Sequence, residues 1–95
     1  MAKRAPPRSK LRIYFELMDA IDREGGRARF TRVQTAVGVP YDRFIAYLAE
    51  LEERGLIVEE MGEDGNYLVL TESGRRFLRE LRRLDYFLRG FGLTF

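Results

Sequence analysis

The sequence predicts a mainly α (α+β) fold of four helices and one β-hairpin, and three observations predict it. Apolar residues recur at helical spacing in four segments, two β-type runs flank Gly62-Glu63-Asp64-Gly65, and Gly closes each of the first three helical segments. The elements follow in the order helix, helix, helix, hairpin, helix.

Met1 to Arg8 is basic and Pro-containing and reads as a flexible arm. Ser9 is placed to cap the first helix by accepting a backbone N–H from its first turn. Leu11, Tyr14, Phe15, Met18 and Ile21 form the apolar stripe of that helix, Ile13 and Leu17 widen it, and Gly25-Gly26 ends it. Ala28 to Phe30 reads as a very short strand. Thr31 is the expected cap of a brief second helix that turns Val33, Ala36 and Val37 inward. Gly38-Val39-Pro40 makes a tight connection, and Pro40 suits the first turn of a third helix. That helix is expected to bury Phe44, Ile45, Leu48 and Leu51 and to stop at Gly55. Helix, short turn and helix make a helix-turn-helix unit.

Leu56 to Met61 and Asn66 to Leu70 are the expected hairpin strands. Asp64-Gly65 is the expected two-residue turn, since both turn positions favour positive φ. Thr71 then caps the fourth helix, and Glu72 suits its positive N-terminal end. Phe77, Leu81, Leu84 and Leu88 follow one another at the a/d rhythm of a coiled-coil seam. Gly90 and Gly92 end the helix and leave Phe91, Leu93 and Phe95 as an apolar tail. The whole reads as a winged helix-turn-helix with a two-stranded wing and a C-terminal dimerisation helix. Its expected divisions are arm 1–8, domain 9–71, dimerisation helix 72–90 and tail 91–95.

Composition narrows the function classes. A chain of 95 residues fits one domain and buries only about 60–65% of its unfolded surface, so a partner chain that covered leftover apolar surface would help it. No apolar run approaches the roughly 20 residues of a membrane span. Without Cys the chain has no disulfide or thiolate metal site, which suits a reducing cytosol. Without His it lacks the commonest general base and zinc ligand. Ser9 and Ser73 stand at helix starts, where hydroxyls cap, and nothing nearby in kind would activate them as nucleophiles. Glu52-Glu53 reads as a solvated helix face, and the run Gly62 to Asn66 lacks the ligand count of a calcium loop. No catalytic residue, metal site or cofactor is expected.

Charge is unevenly distributed. Residues 1–39 hold nine basic and four acidic side chains (+5), residues 40–64 two and eight (−6), and residues 65–95 six and three (+3), which together give the net +2. The overall balance therefore hides a strongly acidic middle.

The stretches RSKLRIYFELMDAI, FTRVQTAVGVPYDRFIAYLAELEERGLIVEE and NYLVLTESGRRFL, within residues 8–88, resemble the small archaeal winged-helix family typified by the Sulfolobus 10a DNA-binding protein. Thr31-Arg32-Val33 carries most of the specificity, with Tyr47-Leu48, Gly55-Leu56-Ile57 and Leu70-Thr71 with Gly74 in support. The resemblance implies a homodimer that binds double-stranded DNA and is joined by an antiparallel coiled coil of fourth helices. This sequence departs from that pattern in an acidic third helix, an acidic wing (Glu59, Glu60, Glu63, Asp64) and a short fourth helix.

Candidate DNA contacts follow. Arg27, Arg29 and Arg32 cluster at the start of the second helix, the element that crosses the backbone in helix-turn-helix docking, and would contact phosphates; the alternative is pairing with Glu24 or other acids. Tyr41, Arg43 and Tyr47 lie on the outward N-terminal half of the third helix, where Arg43 would address guanine or simply pair with Tyr47 or Asp42. Lys3, Arg4 and Arg8, with Lys10 and Arg12, would track phosphates or enter a minor groove from the arm; the alternative is a solubilising, disordered end. Phe77, Leu81, Leu84 and Leu88 would form the dimer seam, its flanking arginines pairing with Glu80 and Asp85 of a partner helix. The leading expectation is a cytoplasmic, nucleoid-associated DNA-binding regulator. The alternative is a protein-interaction module that docks a basic partner on the acidic third helix and wing.

Overall fold

A computed structural model describes residues 8–95, so Lys3, Arg4 and the reading of residues 1–7 as an arm lie outside the described residues. The elements are α1 (Lys10–Asp22), β1 (Arg27–Arg29), α2 (Phe30–Val37), α3 (Tyr41–Glu53), β2 (Ile57–Gly62), β3 (Gly65–Leu70) and α4 (Glu72–Arg89). Ser9 caps α1 by accepting from the Arg12 amide, and Thr71 caps α4 by accepting from the Gly74 amide. Thr31 caps nothing: β1 runs straight into α2, so Arg29 holds the N-cap position and its side chain makes no capping bond.

The sheet has three strands, in the order β1-β3-β2, all antiparallel. The expected two-stranded wing is its β2–β3 part, and β1 extends it on the other edge of β3. The turn is displaced by one residue from expectation, because Gly62 pairs with Gly65 and leaves Glu63 and Asp64 as the loop. Neither loop residue has positive φ; the unusual backbone falls on Gly65, at φ 136°.

One core joins the layers. Ile13, Leu17, Met18 and Ile21 of α1 meet Val33 and Val37 of α2, Phe44, Leu48 and Leu51 of α3, and Ile57 and Leu68 of the sheet. Ile45 and Ala36, expected inside, face outward, since α3 and α2 bury narrower stripes than their apolar content suggested. Gly74, Leu78, Leu81 and Asp85 form the core-facing side of α4. Leu81 is therefore 7% exposed within one protomer, and the predicted four-residue seam divides: Leu81 packs inward while Leu84 stays 40% exposed. The reason is that α4 carries two apolar stripes, and spacing alone does not say which one meets the domain. Among the described residues no helix is long and apolar enough to cross a membrane.

Three polar ties hold α4 down, one of them Arg82 on Asp19 and Asp22 of α1. Thr71 donates through Oγ1 to the Gly55 carbonyl and through its amide to that of Leu56. Arg12 of α1 reaches the buried Asp85 at 2.7 Å, and its guanidinium lies 4.3 Å from the Phe95 ring centre.

At Gly74 a Cβ would collide with the Leu56 carbonyl oxygen, a backbone atom that cannot swing away. Gly74→Ala is therefore expected to destabilise the domain by about 2–3 kcal/mol, the upper range of overpacking costs, read as a lowered Tm in thermal melts. An unchanged Tm would show that this crossing is loose.

Candidate nucleic-acid interface

The helix-turn-helix is closed by Gly38, which ends α2 in the left-handed conformation at φ 71°, and by Pro40, which precedes α3. Helix α3 buries Phe44, Leu48 and Leu51. Its opposite side, Asp42, Ile45, Ala46, Ala49 and Glu53, is exposed to solvent. Small side chains at Ala46 and Ala49 would let this helix approach a groove closely. Donors are scarce on it: Arg43 gives a hydrogen bond to the Tyr47 hydroxyl at 2.9 Å, the mundane arrangement weighed for that residue. Tyr41 is 56% exposed and packs beside Phe30, and Tyr47 stacks edge-on against Tyr14.

The three arginines around the second helix do not cluster as free cations. Arg27 pairs with Glu60 of β2 at 3.0 Å, Arg29 pairs with Asp64 of the wing turn, and Arg32 pairs with Glu24 at 2.8 Å. Arg8 bonds Glu16 and the Val37 carbonyl. Lys10 pairs with Glu50 at 2.6 Å, and Arg12 is held against Asp85. Asp85 also takes Arg89 at 3.0 Å, so it is consumed within the protomer and is no partner for a second helix.

Tyr67 is the residue sequence reasoning missed. Its ring lies 3.7 Å from the Arg27 guanidinium carbon and 5.7 Å from that of Arg29, and its hydroxyl donates to Asp64. That hydrogen bond, with Arg29 beside it, holds the Asp64 carboxyl below its ordinary value. The alternation of Asn66 to Leu70 does place Tyr67 opposite Leu68, but only the pairing of β3 with β1 sets it beside arginines.

Glu52, at the end of α3, has a pKa raised from 4.5 to about 7, first by burial and then by hydrogen bonding and repulsion from Glu59 of β2. Among the described residues no three acidic side chains gather where a metal ion would fit.

Residues 7–88 match the family model described as winged helix-turn-helix. No curated protein matches the sequence. Among solved structures the chain is similar to Sso10a-2, a DNA-binding protein from Sulfolobus solfataricus, with TM-score 0.76 and 19% identity over 88% of this chain and 85% of that one. It is similar also to F93 from STIV, a winged-helix DNA-binding protein, with TM-score 0.70 and 20% identity over 82% and 90%. Bordetella bronchiseptica BpsR, whose DNA binding 6-hydroxynicotinic acid regulates, aligns with TM-score 0.64 and 24% identity over 79% of this chain and 56% of its own. These likenesses show the fold, and the first agrees with the family resemblance read from the sequence.

A carboxyl whose pKa is raised by folding stabilises the fold fully below its ordinary value of 4.5 and loses that contribution as pH rises through about 7. Wild-type protein is thus expected to melt higher at about pH 5.5 than at about pH 8, with Glu52→Gln flattening the difference and raising Tm at the higher pH. Melts of both proteins across that range check it, and a Glu52→Gln variant less stable than wild type at the higher pH would contradict it.

Proposed function

Because the chain belongs to the winged helix-turn-helix family, we propose that it binds double-stranded DNA as a homodimer, as a transcriptional regulator or nucleoid-associated protein of the cytoplasm, and catalyses no reaction. The observation that carries this reading is helix α3, anchored by Phe44, Leu48 and Leu51 while its small-residue face meets solvent. Tyr41, Arg43 and Tyr47 would meet base edges or adjacent backbone, while Arg27, Arg29, Arg32, Arg8 and, in the arm, Lys3 and Arg4 would meet phosphates.

The ion pairs of Arg27, Arg29 and Arg32 do not forbid this. Each arginine side chain is roughly half exposed or more, at 49%, 47% and 67%. Exposed pairs contribute about 0–1 kcal/mol, while charge-assisted bonds to phosphate release condensed counterions, so a duplex can displace the carboxylates. The wing acids then act as competitors of DNA.

The homodimer rests on the second stripe of α4. Leu84 is 40%, Phe87 62% and Phe91 70% exposed, and Phe77 and Leu88 flank them half-buried. Burying one such side chain contributes roughly 1.5–3 kcal/mol, enough for several across a seam to drive association. Leu84→Asp with Phe87→Asp is expected to give folded monomers, because both positions lie outside the protomer core. Sedimentation decides it: a wild type that is monomeric at tens of micromolar, or a double variant still dimeric, would overturn the seam.

The second reading, docking of a basic partner, is favoured by one feature, the like-charged Glu52 and Glu59 where α3 meets the wing. Random duplex binding over a salt series separates the two. Wild type is expected to bind with a steep slope of about −0.9 per phosphate, Arg32→Ala to weaken all sequences alike, and Arg43→Ala to cost about 1–3 kcal/mol only at a preferred site. Asp64→Asn should tighten binding by releasing Arg29. Absence of binding even at low salt would leave the partner reading standing.

A further inference from the structure

Helix α4 has three faces. At about 100° per residue, Gly74, Leu78, Leu81 and Asp85 face the core, half-buried Phe77 with exposed Leu84 and Phe87 forms the apolar stripe, and Arg75, Arg79, Arg82, Arg83 and Arg76 share the remaining side with Glu72 and Tyr86. The arginine face is centred about 140° from the apolar stripe, so two α4 helices paired through that stripe leave it open. Arg82 is held by Asp19 and Asp22 of α1 at 2.7 and 2.9 Å, and Arg83 stands 3.6 Å from Glu80. Among the described residues Arg75, Arg76 and Arg79 take part in no ion pair.

This face is continuous with the sheet. Arg75 lies over Gly26, where any Cβ would meet its guanidinium, and Gly26 immediately precedes Arg27. Arg27 in turn lies on Tyr67, and the Arg29 guanidinium is 5.7 Å from the centre of the same ring. Guanidinium groups thus stand at the wing turn, on β1 and, beside Gly26, on α4. Along α4 the one-turn spacing of Arg75 and Arg79 sets them about 6 Å apart.

We propose that Arg75, Arg76 and Arg79, continued by Arg27 across Gly26, form a second duplex-binding surface that holds the DNA phosphate backbone and is built from elements other than α3. The inference rests on the DNA-binding reading. Charge complementarity argues for it. On α3 the exposed face carries Asp42 and Glu53, whereas on the exposed α4 face Arg75, Arg76 and Arg79 have no carboxylate partner among the described residues. Asp85 is buried and doubly engaged, so pairing of these arginines with a partner helix would fall to Glu72 and Glu80 alone. Forked guanidinium donors suit phosphate oxygens, and the contact is indifferent to sequence.

The test is fluorescence-anisotropy titration of a random duplex over a salt series, with wild type, R75A/R76A/R79A and R76A/R79A. The pair leaves Arg75 on Gly26 in place and serves where the triple variant melts early. The triple variant is expected to bind about tenfold or more weakly at low salt, with a salt slope reduced by about 2–3 per protomer, and the pair by about 2. Wild-type binding with an unchanged slope in both variants overturns this surface and leaves the DNA reading intact. No wild-type binding at low salt overturns both. Vesicles of anionic phosphatidylserine in phosphatidylcholine form a parallel arm. Binding to them that the variants lose, without any change in the DNA slope, would assign the arginine face to a membrane surface instead and overturn the proposal.

Discussion

Strand β3 lies between β1 and β2, and its pleat decides which side chains meet the core and which meet water. Leu68 and Leu70 point inward against α1, so Tyr67 and Val69 point outward. The register then fixes the neighbours: Arg29 opposite Tyr67, Arg27 opposite Val69, and Glu60 opposite Tyr67 on the other side. A slip of one residue would bury Tyr67 and expose Leu68, which the apolar core forbids. The charged surface is thus a consequence of core packing. Arginines and carboxylates from segments more than 30 residues apart in sequence meet because two leucines must be buried.

The ion pairs fall into two kinds with different consequences. Arg12 and Asp85 are 15% and 8% exposed, and removing either would leave a buried charge at a cost of about 3–5 kcal/mol. That pair, with Thr94 and the Phe95 ring gathered on Arg12, fixes α1 to α4. Arg27, Arg29 and Arg32 belong to the other kind, exposed and exchangeable. Stacking on Tyr67 adds about 0.5–1 kcal/mol at such sites, enough to orient Arg27 without tying up its donors. A surface of exchangeable pairs is neutral in the free protein and cationic once its carboxylates are displaced or protonated.

What was legible in the sequence was local. Ser9, Thr71, Gly38 and Gly90 announced helix ends through short-range chemistry that needs no tertiary partner. The order of elements and hence the fold followed from them. Three misreadings, at Ala36, Ile45 and Leu81, share one cause, which is direction. Ile45 and Leu81 both sit in apolar periodicities, yet one faces out and the other in, because a period gives a stripe and not its target. Of the site, α3 and its exposed Tyr41 and Arg43 were readable. The pairing of Arg27 and Arg29 was not, since it depends on β1 joining β3 across a long loop of sequence. The hairpin turn moved by one residue because Gly62 pairs with Gly65, a choice between the overlapping turns Glu63-Asp64 and Asp64-Gly65 that propensity does not separate.

Helix α4 shows how a short element can carry three tasks. Eighteen residues give five turns, each with room for one core contact, one apolar contact and one or two arginines. Its roll about its own axis must therefore be fixed, because a rotation of one residue would exchange the faces. Gly74 against Leu56 and the Thr71 cap fix the start, and Arg12 on Asp85 fixes the end. With the roll set, the proposed dimer seam would dictate where the two arginine faces stand relative to one another. A backbone-binding surface repeated on both protomers would then act at high effective concentration on one duplex, so affinity for DNA would become a property of the dimer. Loss of the seam would weaken DNA binding although no phosphate-contacting residue had changed.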